Sequence, residues 1–119
     1  MDTFLEKEFE TAKTAQQLFD IFSRSNGDLL ERVRKKLKAR LMMNLAMATN
    51  IKECLEVFFL APAGWDLDQE SLEKAVELSQ DSNNQADLDN LLKILEVTER
   101  KSLAEKVRER KQILQGDFN

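Results

Sequence analysis

Apolar positions recur at three- and four-residue spacing along almost the whole chain, the signature of amphipathic helices. No run alternates apolar and polar cleanly, and turn signals are too sparse for hairpins, so strands are not expected. The longest stripe lies in residues 26–49, NGDLLERVRKKLKARLMMNLAMAT, where Leu30, Val33, Leu37, Leu41 and Leu45 share a face with Leu29 and Met42 beside it. Asp28 and Glu31 form a capping box at its start. Its second half, LMMNLAMA, is apolar nearly all round. It is expected to be buried on more than one side, which leaves the first half as the working surface.

Upstream, Phe4, Leu5, Phe9, Ala12, Leu18, Phe19 and Phe22 predict one helix over residues 3–23. Asp2, Thr3 and Glu6 suit its start, and Asn26 and Gly27 suit a left-handed stop. Downstream, Asn50 and Glu53 cap a helix over residues 51–60, with Cys54, Leu55, Phe58 and Phe59 inward. Pro62 and Gly64 end it and turn the chain, and Trp65 reads as an anchor of that loop on the core. A fourth helix follows over residues 69–80, with Leu67, Leu72, Ala75, Val76 and Leu78 inward. The polar loop 81–84 leads to a fifth over residues 85–97, built on Leu88, Leu91, Leu92 and Leu95. The stripe loses phase between Leu95 and Leu103. Thr98 therefore reads as the cap of a separate sixth helix over residues 99–115, closed by Gly116, in preference to the alternative of one long helix over residues 85–115. The expected fold is all-α, a compact single-domain bundle of five to six helices. Residues 1–27 form an N-terminal extension helix and residues 28–116 the bundle core.

Composition narrows the chemistry. The 119 residues suffice for one domain with a genuine core. Histidine and tyrosine are absent. That removes Ser-His-Asp and Cys-His nucleophile systems and histidine-ligated zinc, haem and di-iron sites. There is no Gly-rich phosphate loop and no Gly-x-Ser-x-Gly element. The chain is thus expected not to be an enzyme and to hold no cofactor or metal. One cysteine, Cys54, gives no internal disulfide; on an apolar face it reads as buried and inert. The acidic start MDTFLEKEFE lacks the apolar core of a signal peptide, and no apolar run is long enough to span a membrane. The cytoplasm or nucleus is the expected location.

Charge is segregated. Residues 28–40 carry net +4, residues 41–98 net −8, residues 99–119 net +2 and the remainder −2, within a total of −4. Arg32, Arg34, Lys35, Lys36, Lys38 and Arg40 concentrate the positive charge. The cluster fits a solvated face partly neutralised by nearby carboxylates, a docking surface for an acidic protein, or a phosphate-binding surface. No aromatic residues interleave with it, and the acidic remainder would repel nucleic acid, so a protein partner is preferred over nucleic acid. Self-association against the chain's own acidic helix in another copy is a further expectation. Met42, Met43 and Met47 fit either core filler or an adaptable binding surface, with core filler preferred. Asp66, Asp68, Glu70 and Glu77 match the first, third, fifth and twelfth positions of a calcium loop. Ser71 stands where glycine is required, so they read instead as the acidic start of a helix.

The segment LDNLLKILEVTERKSLAEKVRERKQILQG is similar to the last two helices of death-effector domains, in the death-fold superfamily. Those end with a leucine-rich helix, a short turn, an Arg-x-Asp-Leu element and a basic helix. Here the element is Arg100-Lys101-Ser102-Leu103, with Ser102 in place of the family's aspartate. Phe59-Leu60 looks like the Phe-Leu surface pair of that family's second helix. The resemblance covers about residues 49–116. It implies a six-helix bundle without enzymatic activity that binds a similar domain through helix surfaces, as an adaptor or regulatory subunit. It places Phe59, Leu60 and Arg100 with the basic cluster among the partner-binding residues.

Overall fold

The computed structural model describes residues 3–62 and 64–116, with Thr3 described in its backbone alone. The described residues form seven helices and no strand: α1 Thr3–Thr11, α2 Ala15–Arg24, α3 Gly27–Met47, α4 Ile51–Leu60, α5 Leu67–Ser79, α6 Gln85–Val97 and α7 Lys101–Gln115. The fold is all-α, with one helix beyond the expected five to six. The chain divides into two compact units, Met1–Ala46 and Met47–Asn119. The boundary falls at the C-terminal end of α3, so α3 groups with α1 and α2.

The additional helix arises because the expected helix over residues 3–23 is two. Thr14 caps α2 with an extended backbone, and its hydroxyl accepts the Gln17 N–H at 3.1 Å. Gln17 Oε1 accepts in return from the Thr14 and Lys13 N–H groups at 3.1 and 2.8 Å. This reciprocal box satisfies donors that a continuous helix would have satisfied internally, so the break costs little. The interruption also resets the helical phase. Leu5, Ala12, Ala15, Leu18 and Ile21 are buried, whereas Phe4, expected inward, is 74% exposed. The capping expected of Asp2 and Thr3 lies outside the described side chains.

Helix α3 opens at Gly27, whose φ of +58° is the left-handed backbone anticipated there. Asp28 consequently lies inside the first turn, against the positive end of the helix dipole. Val33, Leu37, Leu41 and Leu45 form the buried stripe. The expectation that residues 41–47 are buried on several sides fails: Met42, Met43 and Met47 are 52%, 53% and 71% exposed. Only Leu41 and Leu45 of that segment face inward, since a stripe at four-residue spacing covers one side of a helix.

In the second unit, α4 packs on α5 and α6 packs on α7; α5 also meets both α6 and α7, and α4 also meets α6. Asn50 caps α4 by accepting the Glu53 N–H at 2.9 Å. The Glu53 carboxylate accepts from the Thr49 N–H, the Thr49 hydroxyl and the Asn50 side-chain amide. The Thr49 N–H and hydroxyl hold its carboxyl below the usual value, the backbone N–H contributing most. Ile51, Cys54, Leu55, Val57, Leu72, Ala75, Val76, Leu88, Leu91, Leu95, Ala104 and Val107 fill the core. Burial pushes the Cys54 thiol up from its ordinary value. Ser71 and Ser79 are buried on α5 and turn their hydroxyls back onto the carbonyls of Asp68 and Val76, which leaves no unsatisfied polar atom there.

Residues 85–115 are two helices, as the loss of phase implied. The hinge differs in detail. Thr98 does not cap α7; its hydroxyl donates to the Ile94 carbonyl at 2.7 Å and closes α6. Glu99 adopts φ +61°, and the Arg100 N–H reaches the Leu95 carbonyl at 2.9 Å. This is the bond pattern of a helix ended by a left-handed residue, with glutamate where glycine is usual. Gly116 ends α7 with a left-handed backbone as well, at φ +76°. Trp65, expected on the core, is half-buried, and Asp68 and Glu70 lie in the first turn of α5.

Candidate interaction surfaces

Two exposed surfaces combine apolar side chains with charge, one on α4 and α6 and the other on α3. The first is a groove of about 640 Å³ between α4 and α6. Lys52, Leu55, Glu56, Phe58 and Phe59 line it from α4, and Asn90, Lys93, Ile94, Val97 and Thr98 from α6. Leu55 forms its buried floor. Phe58 and Phe59 stand edge to face, with ring centroids 5.4 Å apart and planes at 68°, a favoured aromatic geometry. Phe59 and Val97 remain 64% and 76% exposed on its walls. The expected inward position of Phe59 is thus corrected. Cys54, Leu55 and Phe58 recur with Ile51 on one face, and Phe59 lies about 100° further round the helix. Leu60, its neighbour in the Phe-Leu pair, is half-buried and does not line the groove.

The second surface is α3. Its six cations, contiguous in sequence, serve different ends in space. Arg32 donates to Glu6 at 2.9 Å and lies 5.7 Å from the centre of the Phe9 ring. Lys36 sits 5.0 Å from the same ring and donates to the carbonyls of Phe9 and Ala12 at 3.4 and 3.3 Å. Those carbonyls belong to the C-terminal end of α1, where helix partners run out and a cation is favoured. Arg32 and Lys36 therefore hold α1 in place. Arg34 lies 3.8 Å from Glu31 on its own helix. Arg40 approaches the thioether of Met43 at 3.9 Å. Among the described residues, Lys35 and Lys38 have no carboxylate partner, and both are exposed.

Arg100 belongs to neither surface. Its guanidinium donates to Gln69 Oε1 at 2.7 Å and lies 3.7 Å from Asp68, with its side chain 22% exposed. It ties the start of α7 to the first turn of α5. Sequence reading missed Val97 and Ile94 of the groove. Their only signal was an apolar pair in α6 outside the Leu88-Leu91-Leu95 stripe. Among the described residues no group of three or more potential metal ligands converges, and no helix is long and apolar enough to cross a membrane. No protein-family model, curated protein or solved structure matches the chain.

Proposed function

We propose that the chain is a non-catalytic protein–protein interaction module whose α4–α6 groove receives the apolar face of an amphipathic helix from another protein. The observation that carries this reading is the exposure of Phe59 and Val97 on the walls of an apolar groove. Covering the exposed part of one such aromatic side chain is worth roughly 1–2 kcal/mol, and Phe59 lacks that cover in the free chain. Lys52, Glu56 and Lys93 stand at the edges, where mixed charge orients a partner and adds little affinity. A groove between two helices with apolar walls is the standard seat for a helix presenting residues at three- and four-residue spacing. An adaptor or regulatory role, in the cytoplasm or nucleus, is the setting this reading implies. Self-association would add a second copy to the range of occupants.

The test is differential capture. The wild-type chain and the Phe59→Glu/Val97→Glu variant are immobilised and exposed to a lysate of native cells. Both positions are exposed, so the variant is expected to melt with the wild type. Proteins held by the wild type and lost by the variant support the groove. Identical captured sets would falsify it as the binding site.

A further inference from the structure

Helix α3 carries two apolar faces, and the fold uses one. Opposite the buried stripe of Val33, Leu37, Leu41 and Leu45 run Ala39, Met42, Met43, Ala46 and Met47, all exposed. Their spacing of three, one, three and one places them on a single stripe about 12 Å long. Three exposed methionines on one stripe form an adaptable apolar surface: the unbranched thioether chain repacks against differing partners.

The charge beside the stripe selects the partner. Lys35 lies one turn before Ala39, Lys38 one turn before Met42, and Arg40 within 3.9 Å of the Met43 sulfur. No acidic residue occurs from Arg32 to Lys52. Lys35 and Lys38 have no carboxylate partner among the described residues, so this edge is positive and unneutralised. Aromatic anchors, which membrane-surface helices carry on their apolar side, are missing from the stripe. The same lack removes the platform on which nucleic-acid bases stack.

We propose that the methionine face of α3 is a second docking surface, separate from the α4–α6 groove, and that it takes an amphipathic helix of another protein whose apolar side is flanked by Asp and Glu. The methionines meet the apolar side of that helix, and Lys35, Lys38 and Arg40 meet its carboxylates.

Three fluorescent helical peptides of about four turns test this by anisotropy against the full chain. They share one leucine stripe and differ in flanks of Glu, Gln or Lys. The Glu-flanked peptide is expected to bind roughly tenfold tighter than the Gln-flanked one, the scale of two or three exposed ion pairs, and to weaken as salt rises. The Lys-flanked peptide is expected not to bind. Met42→Gln/Met43→Gln/Met47→Gln should abolish binding, and Lys35→Glu/Lys38→Glu should reverse the preference toward the Lys-flanked peptide. The reversal is a gain of binding, so damaged folding cannot imitate it. Equal binding of the three peptides overturns the proposal. So does binding that survives the methionine variant but is lost in Phe59→Glu/Val97→Glu; that result moves the occupant to the groove and leaves the reading of the groove standing. A mass that rises with concentration and falls in the methionine variant assigns the face to a second copy. Methionine-dependent binding to phosphatidylserine vesicles assigns it to a membrane. Either of these also overturns the proposal.

Discussion

Replacing Lys36 by methionine separates the structural part of the α3 cluster from its exposed part. Lys36 contributes three interactions at the end of α1: bonds of 3.4 and 3.3 Å to the carbonyls of Phe9 and Ala12, and an ammonium 5.0 Å from the Phe9 ring. A cation at a helix C-terminus contributes about 0.3–1 kcal/mol, and an exposed cation–π contact about 0.5–1 kcal/mol. The bonds are long, the residue is exposed, and one charge serves both terms, so the sum is about 1–1.5 kcal/mol. Methionine keeps most of the aliphatic stem, so the loss reports the charge and not the packing. Lys38→Met removes an equal charge from the same helix without a partner to lose and should stay within about 0.5 kcal/mol. Amide hydrogen exchange in α1 reads the difference locally: the Lys36 variant should exchange roughly tenfold faster there, with α4 to α7 unchanged. Urea unfolding of both variants gives the global comparison. If Lys36→Met and Lys38→Met behave alike in α1, the capping argument fails and the whole cluster is a solvated face.

Glu99→Gly should raise stability by about 0.5–1 kcal/mol, because glycine relieves the left-handed strain at φ +61° but loses more chain entropy on folding. A destabilised glycine variant in thermal melting would contradict that backbone. Cys54 should react with a thiol reagent at least roughly a hundredfold more slowly in the native chain than in denaturant, since its buried site must first open and its thiol is pushed up. Prompt native labelling would place it at the surface. The Glu53 carboxyl should titrate below its ordinary value of 4.5 when followed by NMR. A depressed folded value means that its stabilisation is present above the unfolded value and is lost as pH falls through the folded one; Glu53→Gln should remove that part of the acid sensitivity, and a midpoint at or above 4.5 refutes the capping assignment.

The helices that sequence places best carry their boundaries in local side-chain chemistry. Residues 51–60 and 85–97 match α4 and α6 because Asn50 and Asn84 each accept an N–H three residues on. That bond needs only the chain on either side of it. The break between α1 and α2 was equally local: Thr14 and Gln17 are a capping box in plain view. The apolar rhythm from Phe4 to Phe22 masks it, because the interruption at residues 12–14 is short and hard to see in a stripe rich in phenylalanine. The α6–α7 hinge was seen from its rhythm but misassigned in its chemistry. Thr98 suits either end of a helix, and nothing local to Glu99 announces a left-handed backbone in a residue other than glycine.

The surfaces were harder to read for a geometric reason. Leu37, Leu41 and Leu45 satisfy the helical spacing rule, and so do Ala39, Met42, Met43 and Ala46. Periodicity shows that α3 has two apolar faces; it cannot say how many neighbours are there to cover them. The expectation of burial on several sides assumed enough neighbours for both, and the structure covers one. Phe59 poses the same problem in α4, one step off a face already filled by Ile51, Cys54, Leu55 and Phe58. Charge placement broke the tie more reliably than hydropathy. Arg32 and Lys36 flank the side of α3 that meets α1, where Glu6 and the carbonyls of Phe9 and Ala12 await them. Lys35 and Lys38 flank the methionine side, where no carboxylate among the described residues pairs with them. The exposure of Met42, Met43 and Met47, together with an edge of lysines that no described carboxylate reaches, is what carries the proposed docking of a partner helix on them.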